Sequence, residues 1–219
     1  MKVLVVAAHP DDEILGCGGT MAKMAQQGDE VYTLILGRGV ASRGTGRETE
    51  MEALNKCMEL ANKAVGAKDV FGFDFPDNSF DTVALLDIVK VVLDIKERVR
   101  PDVILTHYRN DLNIDHQLTY QSVITATRPM EDESVREIYS FEVVSSTEWK
   151  YPLSFSPDVF FDISETVKLK LQSLKHYKSE MREFPHPRSL KAVELNAMSW
   201  GVKTGLKFAE AFECVRCLK

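Results

Sequence analysis

The chain has little of what a nucleic-acid or membrane protein needs. No run of Lys and Arg exceeds two residues, and 27 basic residues face 33 acidic ones for a net charge of −6. A nucleic-acid binder would carry a cationic footprint, so that partner class is not expected. No apolar run approaches the ~20 residues that span a bilayer. The opening MKVLVVAAHPDD has six consecutive apolar residues before its carboxylates. That is too short for a secretory leader, which points to a cytoplasmic location. Cysteine is scarce as well: Cys17, Cys57, Cys214 and Cys217 do not make a disulfide framework in 219 residues. Cys214 and Cys217 form a CxxC without a second pair, and AFECVRCLK reads as an edge strand or tail carrying reduced thiols. Internal repeats, low-complexity tracts and linkers are also missing, so residues 1–219 read as one domain, long enough to bury roughly 70% of its unfolded surface.

What the chain does have is alternation. Short apolar runs at 2–8 (KVLVVAA), 30–36, 69–73, 102–107 and 136–144 read as strands. Helical patterns lie between them, at about 14–27, 48–65, 83–100 and 116–127, the first two closed by Gly28 and Gly66 and the third by Pro101. This order predicts an α/β, three-layer, Rossmann-like domain with a largely parallel sheet of about five or six strands. After residue 145 the pattern weakens. WKYPLSFSPDVFFDIS reads as loop with an edge strand, followed by a C-terminal segment with helices near 163–182 and 188–209. The apolar PLSFSPDVFF run leaves an edge open to a second copy, so a homo-oligomer is among the expected partners.

In open parallel sheets, ligands bind beyond the carboxyl ends of the strands. AHPDDE (8–13) follows the first strand, a glycine-rich stretch the second, and THYRNDLNIDH (106–116) the fourth. All three polar clusters therefore belong to one rim. A helix cap with first-turn acids would account for one or two carboxylates in AHPDDE, with Glu13 complementing the helix dipole. It does not account for His9, nor for adjacent like charges, which repel unless a cation lies between them. A catalytic zinc takes three protein ligands and leaves a position open. His9 and one of Asp11 and Asp12 could bind it, leaving the other acid to deprotonate water. The 107–116 stretch offers two histidines and two aspartates as a source of the third ligand. His116, where the next helix starts, is the better placed.

AHPDDE after a buried first strand, with a distal motif ending Asp115–His116, resembles the LmbE/PIG-L family of zinc-dependent N-deacetylases. SRGTGRETE (42–50) and AEAF (209–212) are similar to it too. The family includes enzymes acting on N-acetylglucosaminyl lipids, thiol-cofactor precursors and antibiotic sugars. The resemblance implies one zinc per chain on His9, Asp12 and His116, with Asp11 as general base. It also implies that Arg47, with Glu50 three residues on, contacts the oxygens of a small N-acetylated sugar-like substrate. One departure matters. Many members end the distal motif His-Pro-Asp-His, whereas this chain reads Asn113-Ile114-Asp115-His116. The Asn113 amide can donate to an oxyanion but cannot act as a general acid. His107 and His186 are then the candidates for auxiliary acid–base work, if Asp11 does not carry the proton both ways.

The GRGVASRGTGR stretch is not a dinucleotide fingerprint, because it does not follow the first strand. Arg38, Arg43 and Arg47 read instead as a cationic rim, with Arg43 and Arg47 as substrate contacts. The expected activity is hydrolysis of an N-acyl, most simply N-acetyl, amide on an amino sugar, in a nucleotide sugar or glycoconjugate precursor. The alternatives are a zinc amidase on a thiol–sugar conjugate, a phosphoesterase, and a non-catalytic sugar or nucleotide binder.

Overall fold

The computed structural model describes residues 1–37 and 48–219, so the expected roles of Arg38, Arg43 and Arg47 fall outside the described residues, as does that of the Glu50 side chain. The elements follow in the order β1 (Lys2–Ala7), α1 (Asp12–Gln26), β2 (Glu30–Gly37), α2 (Glu48–Ala64), β3 (Asp69–Phe75), α3 (Leu85–Val99), β4 (Val103–His107), α4 (Ile114–Ala126) and β5 (Glu137–Phe141). The C-terminal third adds β6 (Val159–Asp162), α5 (Val167–Leu174), α6 (Leu190–Thr204) and β7 (Ala209–Cys217).

The seven strands of the described residues form one sheet in the order β3-β2-β1-β4-β5-β7-β6. The first five are parallel, and β7 and β6 extend them antiparallel, β7 against β5 and β6 against β7. The strand order reverses between β1 and β4. Chains leave those two strands in opposite directions across the sheet, so a crevice opens at their carboxyl ends.

Alternation along β1 shows why three layers form. Val3, Val5 and Ala7 face one apolar layer with Ile14, Met21 and Met58 from α1 and α2. Leu4, Val6 and Ala8 face the other, with Ile88, Val92 and Val123 from α3 and α4. A strand buried on both faces reads as a continuous apolar run, as KVLVVA does. Gly16 lets α1 lie close on the sheet: a Cβ there would come within 2.2 Å of the Phe141 ring.

The C-terminal third departs most from expectation. The sheet has seven strands in place of five or six, because the segment after residue 205 is a nine-residue strand. The cysteine-bearing strand is not at the edge; β7 lies between β5 and β6, and the short β6 takes the edge. Cys214 and Cys217 stand exposed and free at the far end of β7. The helix expected over 163–182 is only eight residues long. The chain leaves it to bury Tyr177 beneath α1, where the phenol reaches Glu13. Among the described residues, no helix is long and apolar enough to cross a membrane.

Candidate metal centre and cleft

β1 ends at Ala7, and the next residues turn tightly into α1, with the Asp12 N–H donating to the His9 carbonyl at 3.3 Å. β4 ends at His107, and α4 begins at Ile114 with Asn113 as its cap. These two strand ends are neighbours in the sheet. Residues a hundred positions apart are thereby brought together.

His9, Asp12 and His116, all buried, each offer a ligand atom within 4.8 Å of the others. His9 Nδ1 lies 3.2 Å from Asp12 Oδ2, and His116 Nε2 lies 3.2 Å from the same oxygen. On its other side, His9 Nε2 is 2.9 Å from Asp115 Oδ2 and 3.1 Å from Asp77 Oδ1. His116 Nδ1 is 3.1 Å from Asp111 Oδ1. Each ring thus faces Asp12 with one nitrogen and another carboxylate with the other; for His9 both are hydrogen-bonded, the arrangement that fixes tautomer and direction in metal-binding histidines. The orienting acids are held in turn. Asp111 accepts from the hydroxyls of Ser146 and Thr147 and from the Asn113 N–H, and Asp115 accepts from the Phe80 N–H at 2.9 Å.

Among the described residues, charge is out of balance here. Burial opposes the charged form of both rings, yet Asp115 and Asp12 lift His9 to about 10, and Asp12 and Asp111 lift His116 to about 9. Burial also works against the Asp12 carboxylate, but His116, His9 and His107 hold it well below the usual range. Acids at this centre draw positive charge toward themselves. Hydrogen bonding is also incomplete: among the described residues, Asp12 Oδ1 and both His116 nitrogens are buried without a properly directed partner. Buried polar atoms left unpaired are uncommon in native folds. Two imidazoles and a carboxylate so placed fit a zinc ion in number and chemistry.

The other expected site residues are distributed around this cluster. Asp11 stands at φ 106°, with its carboxylate 3.0 Å from a guanidinium nitrogen of Arg188. Burial raises the Asp11 carboxyl well above its usual range; Arg188 opposes this and Asp12 adds to it. Asn113 caps α4, its amide oxygen accepting from the Asp115 N–H at 2.8 Å and its NH2 donating to Asn78 at 3.2 Å. His107 is fully buried. Its Nε2 accepts the Ala8 N–H at 2.8 Å, and its ring stacks on His116 with centroids 4.0 Å apart. That lone pair is committed to joining β1 to β4, and burial followed by His116 lowers its pKa. His186 accepts from the Arg188 N–H through Nδ1 and packs edge-on against Trp149. Neither His107 nor His186 is among the residues lining the cleft.

That cleft, of about 140 Å³, is lined by His9, Pro10, Asp11, Leu54, Asp77, Asn78, Asn113, Glu180 and Arg188. Arg188, Asp77 and Glu180 were not anticipated. Arg188 lies 177 residues from Asp11, in a loop whose sequence carries no pattern pointing to the site. Asp111 and Asp115 did lie within the stretch marked as a ligand source; what the sequence could not separate was binding a metal from orienting the residue that binds it.

The family model for GlcNAc-PI de-N-acetylases, PIG-L, matches residues 4–127. A relative in Escherichia coli (strain K12), described as the uncharacterized deacetylase YaiS, is 30% identical over 183 residues, covering 81% of this chain and 90% of its own. A probable N-acetyl-alpha-D-glucosaminyl L-malate deacetylase 2 of Bacillus cereus is 28% identical over 208 residues, 90% of this chain and 93% of its own. Two crystal structures share the fold. The conserved protein TT1542 of Thermus thermophilus has a TM-score of 0.81 at 23% identity, covering 99% of this chain and 96% of its own. The 4-carboxy-2-hydroxymuconate hydratase GalB of Pseudomonas putida has a TM-score of 0.79 at 23% identity, covering 98% and 95%. The matched stretch is more than half the chain and carries His9, Asp11, Asp12 and His116 together, and the chain belongs to the PIG-L family of de-N-acetylases, whose members are generally zinc-dependent.

Proposed function

We propose that this protein is a zinc hydrolase that removes the N-acetyl group from an amino-sugar substrate. The observation that carries the reading is the meeting of His9, Asp12 and His116, with orphaned ligand atoms on Asp12 and His116, beside a cleft that His9 and Asp11 line. His9, Asp12 and His116 would hold the metal. Zinc bound there would lower the pKa of water and polarise the acyl carbonyl.

The remaining steps belong to the chain. Asp11, turned into the cleft and steadied by Arg188, takes the proton from the attacking water. The NH2 of Asn113 keeps one N–H beyond its bond to Asn78, available to a developing oxyanion at the cleft wall. An amide cannot protonate the departing amine. With His107 committed to a backbone N–H and His186 outside the cleft lining, Asp11 returns the proton it took. Carboxylates and amides from Asp77, Asn78, Asn113 and Glu180 suit the hydroxyls of a sugar. Relatives named for deacetylation of N-acetylglucosaminyl compounds support the same substrate class.

The presence of the fold in a hydratase shows that fold alone does not name the reaction. The test is acetate and free-amine release from a panel of N-acetylated amino sugars by zinc-loaded protein. Asp11→Asn should keep its zinc and lose ~10²–10⁴-fold in rate. Sugar binding without acetate release would mark a non-catalytic binder, and an Asp11→Asn protein working at the parent rate would sink the proposed mechanism.

A further inference from the structure

Asp11 adopts a backbone that residues with side chains seldom take, φ 106° and ψ −29°. Its carbonyl accepts from Ile14 and Leu15 at 3.1 and 2.8 Å, which makes it the cap of α1, yet its side chain makes no capping bond. In an ordinary capping box two reciprocal bonds form together: the cap side chain folds back on the helix while an acid in the first turn takes the cap's N–H. Here the two halves are separated. Glu13 accepts the Asp11 N–H at 3.0 Å, and the Asp11 carboxylate is turned the other way, toward Arg188 and the cleft.

Glu13 is itself held by two side-chain donors. Its Oε1 accepts from the Tyr177 hydroxyl at 2.6 Å and from the Asn62 amide at 2.9 Å. Asn62 then accepts from Thr33 at 2.7 Å through its own oxygen. All four side chains are buried. β2, α2 and the segment after α5 each contribute to fixing one carboxylate, and that carboxylate ends on one backbone amide.

We infer that Glu13, clamped by Tyr177 and Asn62, is a positioning residue that holds residue 11 in its left-handed turn so that the Asp11 carboxylate faces the cleft. The inference rests on the reading of Asp11 as general base. Without the clamp, an easier state is open. Residue 11 can relax to an extended backbone and cap α1 with its own side chain, as aspartate does at most helix starts.

Four proteins test this: the parent, Asp11→Asn, Glu13→Gln and the double variant. Glu13→Gln should lose ~10–100-fold in kcat, the range for residues that orient a catalytic group. KM should stay within about twofold, and one zinc per chain should remain bound. In the Asp11→Asn background the same change should cost nothing further, because the two residues act as a unit. A crystal structure of metal-free Glu13→Gln should show residue 11 at negative φ, its carboxylate on the first turn of α1.

An unchanged kcat, an unchanged φ at residue 11, or losses that multiply in the double variant would each overturn the inference. If Asp11→Asn loses rate as expected while the losses multiply in the double variant, only the positioning role fails. If Asp11→Asn turns over at the parent rate, the base assignment fails and the inference with it. Should Glu13→Gln fold poorly, Tyr177→Phe removes one donor from the clamp. It should show a loss of several-fold that also vanishes in the Asp11→Asn background.

Discussion

Two buried ionic clusters flank α1, and they are built on opposite principles. Beneath the middle of the helix, Lys170 Nζ donates to Glu210 at 2.6 Å and to the Leu15 carbonyl at 2.8 Å. Glu210 also accepts the N–H groups of Gly19 and Thr20 and the Thr20 hydroxyl. One cation meets one anion, and the other polar contacts of the carboxylate come from fixed donors. At the helix N-terminus, Asp11, Asp12, Asp77, Asp111 and Asp115 crowd around three histidines and one arginine, and ligand atoms of Asp12 and His116 lack directed partners. A balanced buried cluster ties elements together. An unbalanced one is a poor scaffold, and the excess of acid among the described residues suits a cation as its complement.

Removing a cationic or metal-holding partner from each cluster should therefore fail in different ways. His116→Ala should abolish stoichiometric zinc, read by metal analysis. Activity should fall by more than about 10³-fold, the several kcal/mol of charge stabilisation a metal supplies. Retention of one tightly held zinc would remove His116 from the ligand set. Lys170→Met acts on the balanced cluster and leaves Glu210 buried without its cation. Breaking such a pair costs about 3–5 kcal/mol, or roughly 6–20 °C in Tm for a chain of this size. Folded Lys170→Met should still bind one zinc per chain. An unchanged Tm would show that Glu210 is satisfied by its N–H donors alone. Loss of zinc from a folded variant would show that the two clusters are coupled through α1.

How much of each cluster could be read from the sequence follows the same division. AHPDDE stood out because a helix cap explains one or two of its acids but neither His9 nor the adjacent like charges, and NIDH because it closes the neighbouring strand's loop. Both are local in sequence, and the parallel β1–β4 pairing brings them together as α/β topology requires. Glu210 was visible only as part of a family-like AEAF segment. Its partner Lys170 is 40 residues away on a helix with no periodic signature, and an isolated Lys reads as surface. Arg188 was hidden for the same reason. The strand count ran short because AEAFECVRC mixes Glu, Cys and Arg into a strand. Burial of Glu210 against Lys170 lets that segment fit inside a sheet. Glu13 was seen, but as a helix-dipole acid; that its carboxylate reaches back to the Asp11 N–H depends on Tyr177, 164 residues on.

Glu142 offers a finer test, because it is an acid between the two extremes. Among the described residues it has no cation in contact; its Oε1 accepts from Asn196 at 2.7 Å and from the indole of Trp200 at 2.6 Å, both neutral donors. Burial raises its pKa above the usual carboxylate value, while the Asn196 and Trp200 bonds pull the other way. The sign of the stability effect follows. The folded chain holds this proton more tightly than the unfolded chain, so the contribution is favourable at low pH. It is lost as pH rises from the ordinary glutamate value through the raised one. Glu142→Gln keeps an acceptor oxygen for both donors and abolishes that charge. It should raise Tm at neutral pH by no more than about 3 °C, some ~1 kcal/mol, and the gain should disappear near pH 4 (the ordinary Glu range). A gain that persisted at low pH would have to come from packing. A loss at neutral pH would mean that the ionised carboxylate is satisfied by Asn196 and Trp200, and that buried acids in this fold need directed donors more than they need a cation.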